Sequence, residues 1–122
     1  MTEEERVKRN EAIARFLGWE KSFVELSGEN LWFPPADSNF PYRFYEPEFL
    51  DFHGDWNSLA RAIEKICRDE DSVGFHVLPK PSAWEALFGK IPYSVQSAPT
   101  MIEAAWMAVS SYCLTFETPS LG

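Results

Sequence analysis

The chain has 122 residues and a formal net charge of −8, from 19 acidic and 11 basic side chains, and 16% of it is aromatic. That length is one domain, large enough to bury a core without disulfide or metal staples, and the aromatic content excludes intrinsic disorder. The acidity disfavours direct binding to nucleic acid or an anionic membrane, because both need a clustered positive surface; one small basic pocket stays compatible with it.

The spacing predicts a first helix from Glu3 to about Leu17. Thr2 and Glu5 have the T-x-x-E spacing of a capping box, and Glu3, Glu4 and Glu5 favour the positive end of a helix dipole. Val7, Ile13, Ala14, Phe16 and Leu17 form its apolar stripe. Gly18 can end it at positive φ, with Trp19 as the hydrophobic contact that closes the cap.

Residues 20–54 are the least regular part, with Pro34, Pro35, Pro41 and Pro47. Phe23-Val24 and Leu31-Trp32-Phe33 read as short strands around a turn at Gly28-Glu29-Asn30. The run from Phe40 to Tyr45 is too apolar for a linker and reads as a loop packed over the core, and loops this long are often functional.

Asp55 is the N-cap expected for a second helix, with Leu59, Ile63, Ile66 and Cys67 on one face, widened by Trp56 and Ala60. Val73–Leu78 reads as a strand with Val73, Phe75 and Val77 inward, stopped by Pro79 and Pro81. Ser82 and Glu85 repeat the capping-box spacing, which predicts a short helical turn ending at Gly89. A second strand runs from Ile91 to Ser97, with Ile91, Tyr93 and Val95 on one face; Pro92 near its start implies an edge or a bulge. The two strands should pair antiparallel. Thr100 and Glu103 open a third helix, with Ile102, Ala105, Trp106, Val109, Tyr112 and Cys113 at a 3.6 period, and the tail after Leu114 should fray. The fold class is therefore α+β: a small antiparallel sheet packed against amphipathic helices, in the order α-(β-β)-α-β-β-α.

Chemistry-bearing patterns are scarce. G-x-G-x-x-G, G-x-x-x-x-G-K-[ST], H-E-x-x-H and C-x-x-C are absent from the sequence, so no cofactor and no metal site is expected. A zinc site would need His53, His76, Cys67 and Cys113 to converge. The cysteines read as buried hydrophobes in a reducing compartment. The charged start offers no apolar segment of a secretory signal, and no apolar run approaches the ~20 residues that span a bilayer. A cytoplasmic location is expected. Asp51 and Asp55 flank His53, an arrangement in which a carboxylate could orient a general base for hydrolysis; a polar loop whose last aspartate caps a helix explains the same residues. Ser110-Ser111 lies within a helix, which suits no nucleophile. No catalytic residue is assigned. The aromatics are the remaining signal. Trp32, Tyr42, Tyr45 and Trp84, with His53, are the candidate binding residues, for a protein partner or a planar ligand if several are exposed together. An acidic DNA mimic would need carboxylates arrayed along one face, and here they are scattered.

Three places carry a family resemblance: Leu17-Gly18-Trp19 closing the first helix, Asp55-Trp56-Asn57 leading into Ala62-Ile63-Glu64-Lys65-Ile66, and a strand pair followed by Thr100-x-x-Glu103-Ala104-Ala105-Trp106. In these the chain resembles the phage ABA sandwich domain family, small proteins of prophages and mobile elements. Residues 79–90 depart from the short hairpin of that pattern. The resemblance implies helices packed on an antiparallel sheet and brings no catalytic residue. Together with the acidity and the lack of catalytic motifs, it points to an accessory protein acting by protein binding, with a small-ligand-binding module as the alternative.

Overall fold

The computed structural model describes residues 1–36, 38, 40–69, 74–89 and 91–117, with side chains given for all of these except 91–94, 116 and 117. The expected α+β class and element order are found. Helix α1 (Glu3–Phe16) leads into the hairpin β1 (Glu20–Val24) and β2 (Glu29–Phe33), then a 3-10 turn at Pro47–Phe49 and helix α2 (Trp56–Asp69). Strands β3 (Phe75–Lys80), β4 (Ala83–Phe88) and β5 (Ile91–Ala98) and helix α3 (Met101–Glu117) follow.

The helix ends are built as their residues dictate. The Thr2 hydroxyl accepts from the Glu5 N–H at 3.1 Å. At the other end of α1, the Trp19 N–H reaches the Ala14 carbonyl and the Gly18 N–H the Arg15 carbonyl, both at 3.0 Å. This pair of bonds is a Schellman motif, and it holds because Gly18 sits at φ +87, where a side chain would be strained. Trp19 is thereby turned into the core, 5% exposed. Asp55 caps α2, its Oδ1 accepting from the Asn57 N–H at 3.0 Å. Trp56 departs from the expected apolar face: it is exposed at the first turn, while Leu59, Ala62 and Ile66 point inward. The Thr100 hydroxyl caps α3 through the Glu103 N–H at 3.2 Å.

The three-stranded sheet has the order β3-β4-β5, all antiparallel, separate from the β1-β2 hairpin. Two expectations are corrected here. Residues 83–88 form a strand and not a helical turn: Ala86 and Phe88 are fully buried, and β4 pairs on both sides. Its alternation was masked by the Ser82/Glu85 spacing, and tertiary pairing overrode the local signal. The flanking strands consequently do not pair with each other; each pairs with β4. Both are edges, which explains their prolines. Pro79 lies inside β3, opposite Trp84, where a missing N–H costs little. Between Gln96 and Ile91 the β5 register slips against Ala86 and Phe88, so Pro92 falls within a bulge. Phe75 and Val77 pack against the core as expected; Val73 lies outside the described residues.

Helix α3 lies between β4 and β5 on one side and α1 on the other. It is therefore buried around most of its circumference, including Ala104, Ala105, Ala108, Val109 and Cys113. The alanines let its neighbours approach on both sides. Arg9 of α1 donates to the Ser110 and Ser111 hydroxyls at 2.9 and 3.1 Å, which gives those serines a structural role between helices.

Candidate functional site

The aromatic segment is split by the fold into a buried half and an exposed half. Trp32 is 1% exposed. Its backbone exchanges two 2.8 Å hydrogen bonds with Tyr45, which ties residues 40–45 to the β2 edge as a strap. Behind the strap, Trp19 contacts Phe40, Tyr45 and Phe52 at centroid distances of 4.7, 5.3 and 5.7 Å. In front of it two rings are open: Tyr42 and Phe49 are each 67% exposed, whereas Phe44 packs on Phe33 at a centroid distance of 6.3 Å.

Trp19, Tyr42, Tyr45, Phe49, Asp51 and Asp55 line a cavity of about 260 Å³ at this place. Tyr42 packs on Tyr45 edge to face at 5.7 Å, and the Tyr45 hydroxyl oxygen accepts from the Tyr42 N–H at 3.3 Å. Burial pushes the Tyr45 phenol above its ordinary pKa; the Tyr42 N–H bond opposes this, and the charges of Tyr42 and Asp55 add to the rise. The hydroxyl therefore stays protonated and able to donate. The carboxylates are held by the loop: Asp51 Oδ1 accepts from the Gly54 N–H at 3.0 Å, and Asp55 Oδ2 from the Ser58 hydroxyl at 2.8 Å. Glu46, next to Tyr45 in the chain, is raised above its ordinary pKa, first by the charge of Glu29, then by desolvation and by Glu48. The site is thus an aromatic cup with a negative rim. Such a cup attracts cations both through ring faces and through carboxylates.

Of the sequence candidates, the fold brings Tyr42 and Tyr45 together in this cup, with Trp32 behind it. It does not bring the other two there. Trp84 is half-buried on β4 of the second sheet. His53 faces inward, away from the cup. Its Nδ1 lies 2.9 Å from Asn10 Nδ2 and its Nε2 3.2 Å from Arg6 Nη1, while its ring meets Trp106 at 5.8 Å. Both neighbours are N–H donors, so a protonated ring would have no acceptor in either contact. Asp51 Oδ1 stands at 3.6 Å, too far for a good hydrogen bond. Burial lowers the His53 pKa; Asp51 opposes this and Arg6 adds to it. A neutral ring has one acceptor nitrogen, so it accepts from Asn10 or from Arg6 and not from both, and His53 is packed into the α1–loop contact. Trp19, Phe40 and Phe49 were not among the sequence candidates. The sequence accounts for Trp19 as a cap contact, and only the fold shows which rings it gathers.

The linkage has a definite sign. A histidine whose folded pKa lies below the ordinary 6.5 binds fewer protons in the folded than in the unfolded state on the acid side. Its contribution is present above about pH 6.5 and lost as pH falls through the folded value. The His53 C2–H resonance should titrate below 6.5, and the difference in unfolding midpoint between wild type and His53→Gln should shrink on acidification. Titration at or above 6.5 contradicts the packing described.

Among the described residues, no group of three or more His, Cys, Asp and Glu side chains could hold a metal ion, and no helix is long and apolar enough to cross a membrane. Comparison with family models, curated proteins and solved structures gives no match for this chain.

Proposed function

We propose that this chain is a binding protein rather than a catalyst, an accessory factor that docks a protein partner through the aromatic cup. The observation that carries the reading is the joint exposure of Tyr42 and Phe49 in one cavity with Asp51 and Asp55. Isolated exposed rings are ordinary, but two at one rimmed cavity are the composition of an interface hot spot. The rim selects a basic partner: an Arg or Lys side chain entering the cup gains ring contact and a carboxylate. A volume of about 260 Å³ is a little below the ~300–1,000 Å³ of drug-sized pockets, so it suits a side chain better than a whole small molecule. The origin of the protein in a phage or mobile element rests on the sequence resemblance, and gene neighbourhood tests it.

A photo-crosslinking residue at position 42 or 49, used in the native host, should capture a protein that one at Lys80 does not. Tyr42→Ala and Phe49→Ala should each weaken binding of the captured protein about thirtyfold or more, the loss of ~2 kcal/mol or above that marks a hot spot. Asp51→Asn, which keeps an acceptor for the Gly54 N–H, should weaken it with little change in stability. Unchanged affinity in all three variants would refute the reading. A small organic cation that raises the unfolding temperature in a ligand screen, where no protein is captured, would favour the ligand-binding alternative.

A further inference from the structure

Arg61, Lys65 and Arg68 recur at i, i+4 and i+7 along α2 and so share one face. All three line a second cavity of about 260 Å³, with Trp19 and Phe40 in its wall and Glu64 as its carboxylate. Three cations converging on one cavity stand out in a chain of net charge −8. Two of them are held by rings: the Arg61 guanidinium lies 4.3 Å from the Phe40 centroid, and Lys65 Nζ 4.8 Å from that of Phe16. Lys65 also pairs with Asp69 at 2.8 Å. A guanidinium against a ring keeps its N–H donors at the edge, suited to a planar or tetrahedral oxyanion.

An independent observation concerns Trp19. Its indole Nε1 is buried and has no hydrogen-bond partner among the described residues. Buried indole N–H groups usually find an acceptor, and an orphaned one lowers stability. Trp19 lies in the wall of this cavity, where the three cations outnumber the Glu64 carboxylate. We propose that this cavity is an oxyanion site, which takes the phosphate or carboxylate group of a small ligand through Arg61, Lys65 and Arg68, with the Trp19 indole in its wall as the reporter of occupancy. The site lies on the C-terminal half of α2, where the helix dipole opposes an anion, so the side chains supply the attraction.

The test is an NMR titration of the whole chain with inorganic phosphate and, separately, acetate, at ionic strength held constant with chloride. Saturating shifts are expected at the Trp19 indole N–H and the Arg61 Nε–H, with a Kd on the order of 1 mM. Arg61→Gln combined with Arg68→Gln should weaken binding at least tenfold, Arg61→Lys much less, and Lys8→Gln and Tyr42→Ala not at all. Should the double variant fail to fold, Arg68→Gln alone is expected to weaken binding severalfold. Tighter binding of phosphate identifies a phosphoryl ligand, and tighter binding of acetate a carboxylate. Linear shifts reproduced by chloride, or affinity unchanged in the arginine variants, overturn the proposal while leaving the aromatic cup untouched.

Discussion

Trp32→Ala is expected to destabilise the chain by about 3–5 kcal/mol, the usual cost of emptying a buried large aromatic site. For a domain of this size that is a fall in unfolding temperature of roughly 10–20 °C. The ring is 1% exposed, so the lost volume cannot be refilled by solvent without wetting the core. The polar contacts add to the loss. The indole N–H donates to Glu11 Oε2 at 2.8 Å, and the same oxygen accepts from Lys21 at 2.8 Å. Arg15 and Lys21 both lie 5.6 Å from the ring centroid. One ring thus joins α1, β1 and β2. Trp32→Phe keeps most of the ring and leaves Glu11 paired with Lys21, so its cost should be nearer 1–2 kcal/mol. Urea denaturation of the three proteins measures both differences, and a Trp32→Ala cost below about 1 kcal/mol contradicts the packing. The result also bears on the site. Because Trp32 holds Tyr45 through two backbone bonds, the alanine variant should bind poorly by loosening the strap. Loss of binding in that variant is therefore no sign of direct contact, whereas loss in Tyr42→Ala is.

The elements legible in the sequence are those whose signals are local. Thr2, Asp55 and Thr100 each start a helix through a side-chain oxygen a few residues from its donor, and Gly18 stops one through its own φ. Such contacts need nothing from the rest of the chain. The hairpin turn was placed a little late, because Gly28 closes it by donating to the Val24 carbonyl at 2.9 Å and Glu29 already belongs to β2. Strand β4 was illegible for the opposite reason. Trp84, Leu87 and Phe88 fit a helical face as well as a strand, and only pairing with β3 and β5 selects between them. The site divides in the same way. Residues 30–54 can be singled out as an aromatic region, but the cup depends on Trp19, which lies before it in the chain, and on the Trp32–Tyr45 bridge. His53 stands beside two aspartates in sequence, but the fold also sets Asn10 and Arg6 of α1 against its ring nitrogens, which no local pattern foretells.

Asn10 is where the second large effect is expected. It is 1% exposed and joins three elements. Its Oδ1 accepts from the Trp106 indole N–H at 2.8 Å, and its Nδ2 lies 2.9 Å from both the Leu50 carbonyl and His53 Nδ1. The Trp106 contact fixes the amide orientation, since an indole N–H can only donate. Asn10→Ala strands the Trp106 donor and the Leu50 acceptor in the core. At roughly 1–3 kcal/mol for each of the two orphaned buried groups, the loss should reach about 2–6 kcal/mol, a large share of the ~5–15 kcal/mol that stabilises a typical domain. Asn10→Asp separates this hydrogen-bond account from simple volume loss, because it keeps the shape. The carboxylate still accepts from Trp106, but it cannot donate to Leu50, and it places a negative charge against His53. That charge favours the imidazolium and should raise the His53 pKa above 6.5, reversing the wild-type direction. A raised folded pKa contributes stability on the acid side and loses it as pH rises through the folded value. The aspartate variant should therefore lie closer to wild type at about pH 5.5 than at about pH 8, while Asn10→Ala shows no such recovery. Equal destabilisation by aspartate at both pH values would show that His53 does not share a proton-sensitive contact with position 10.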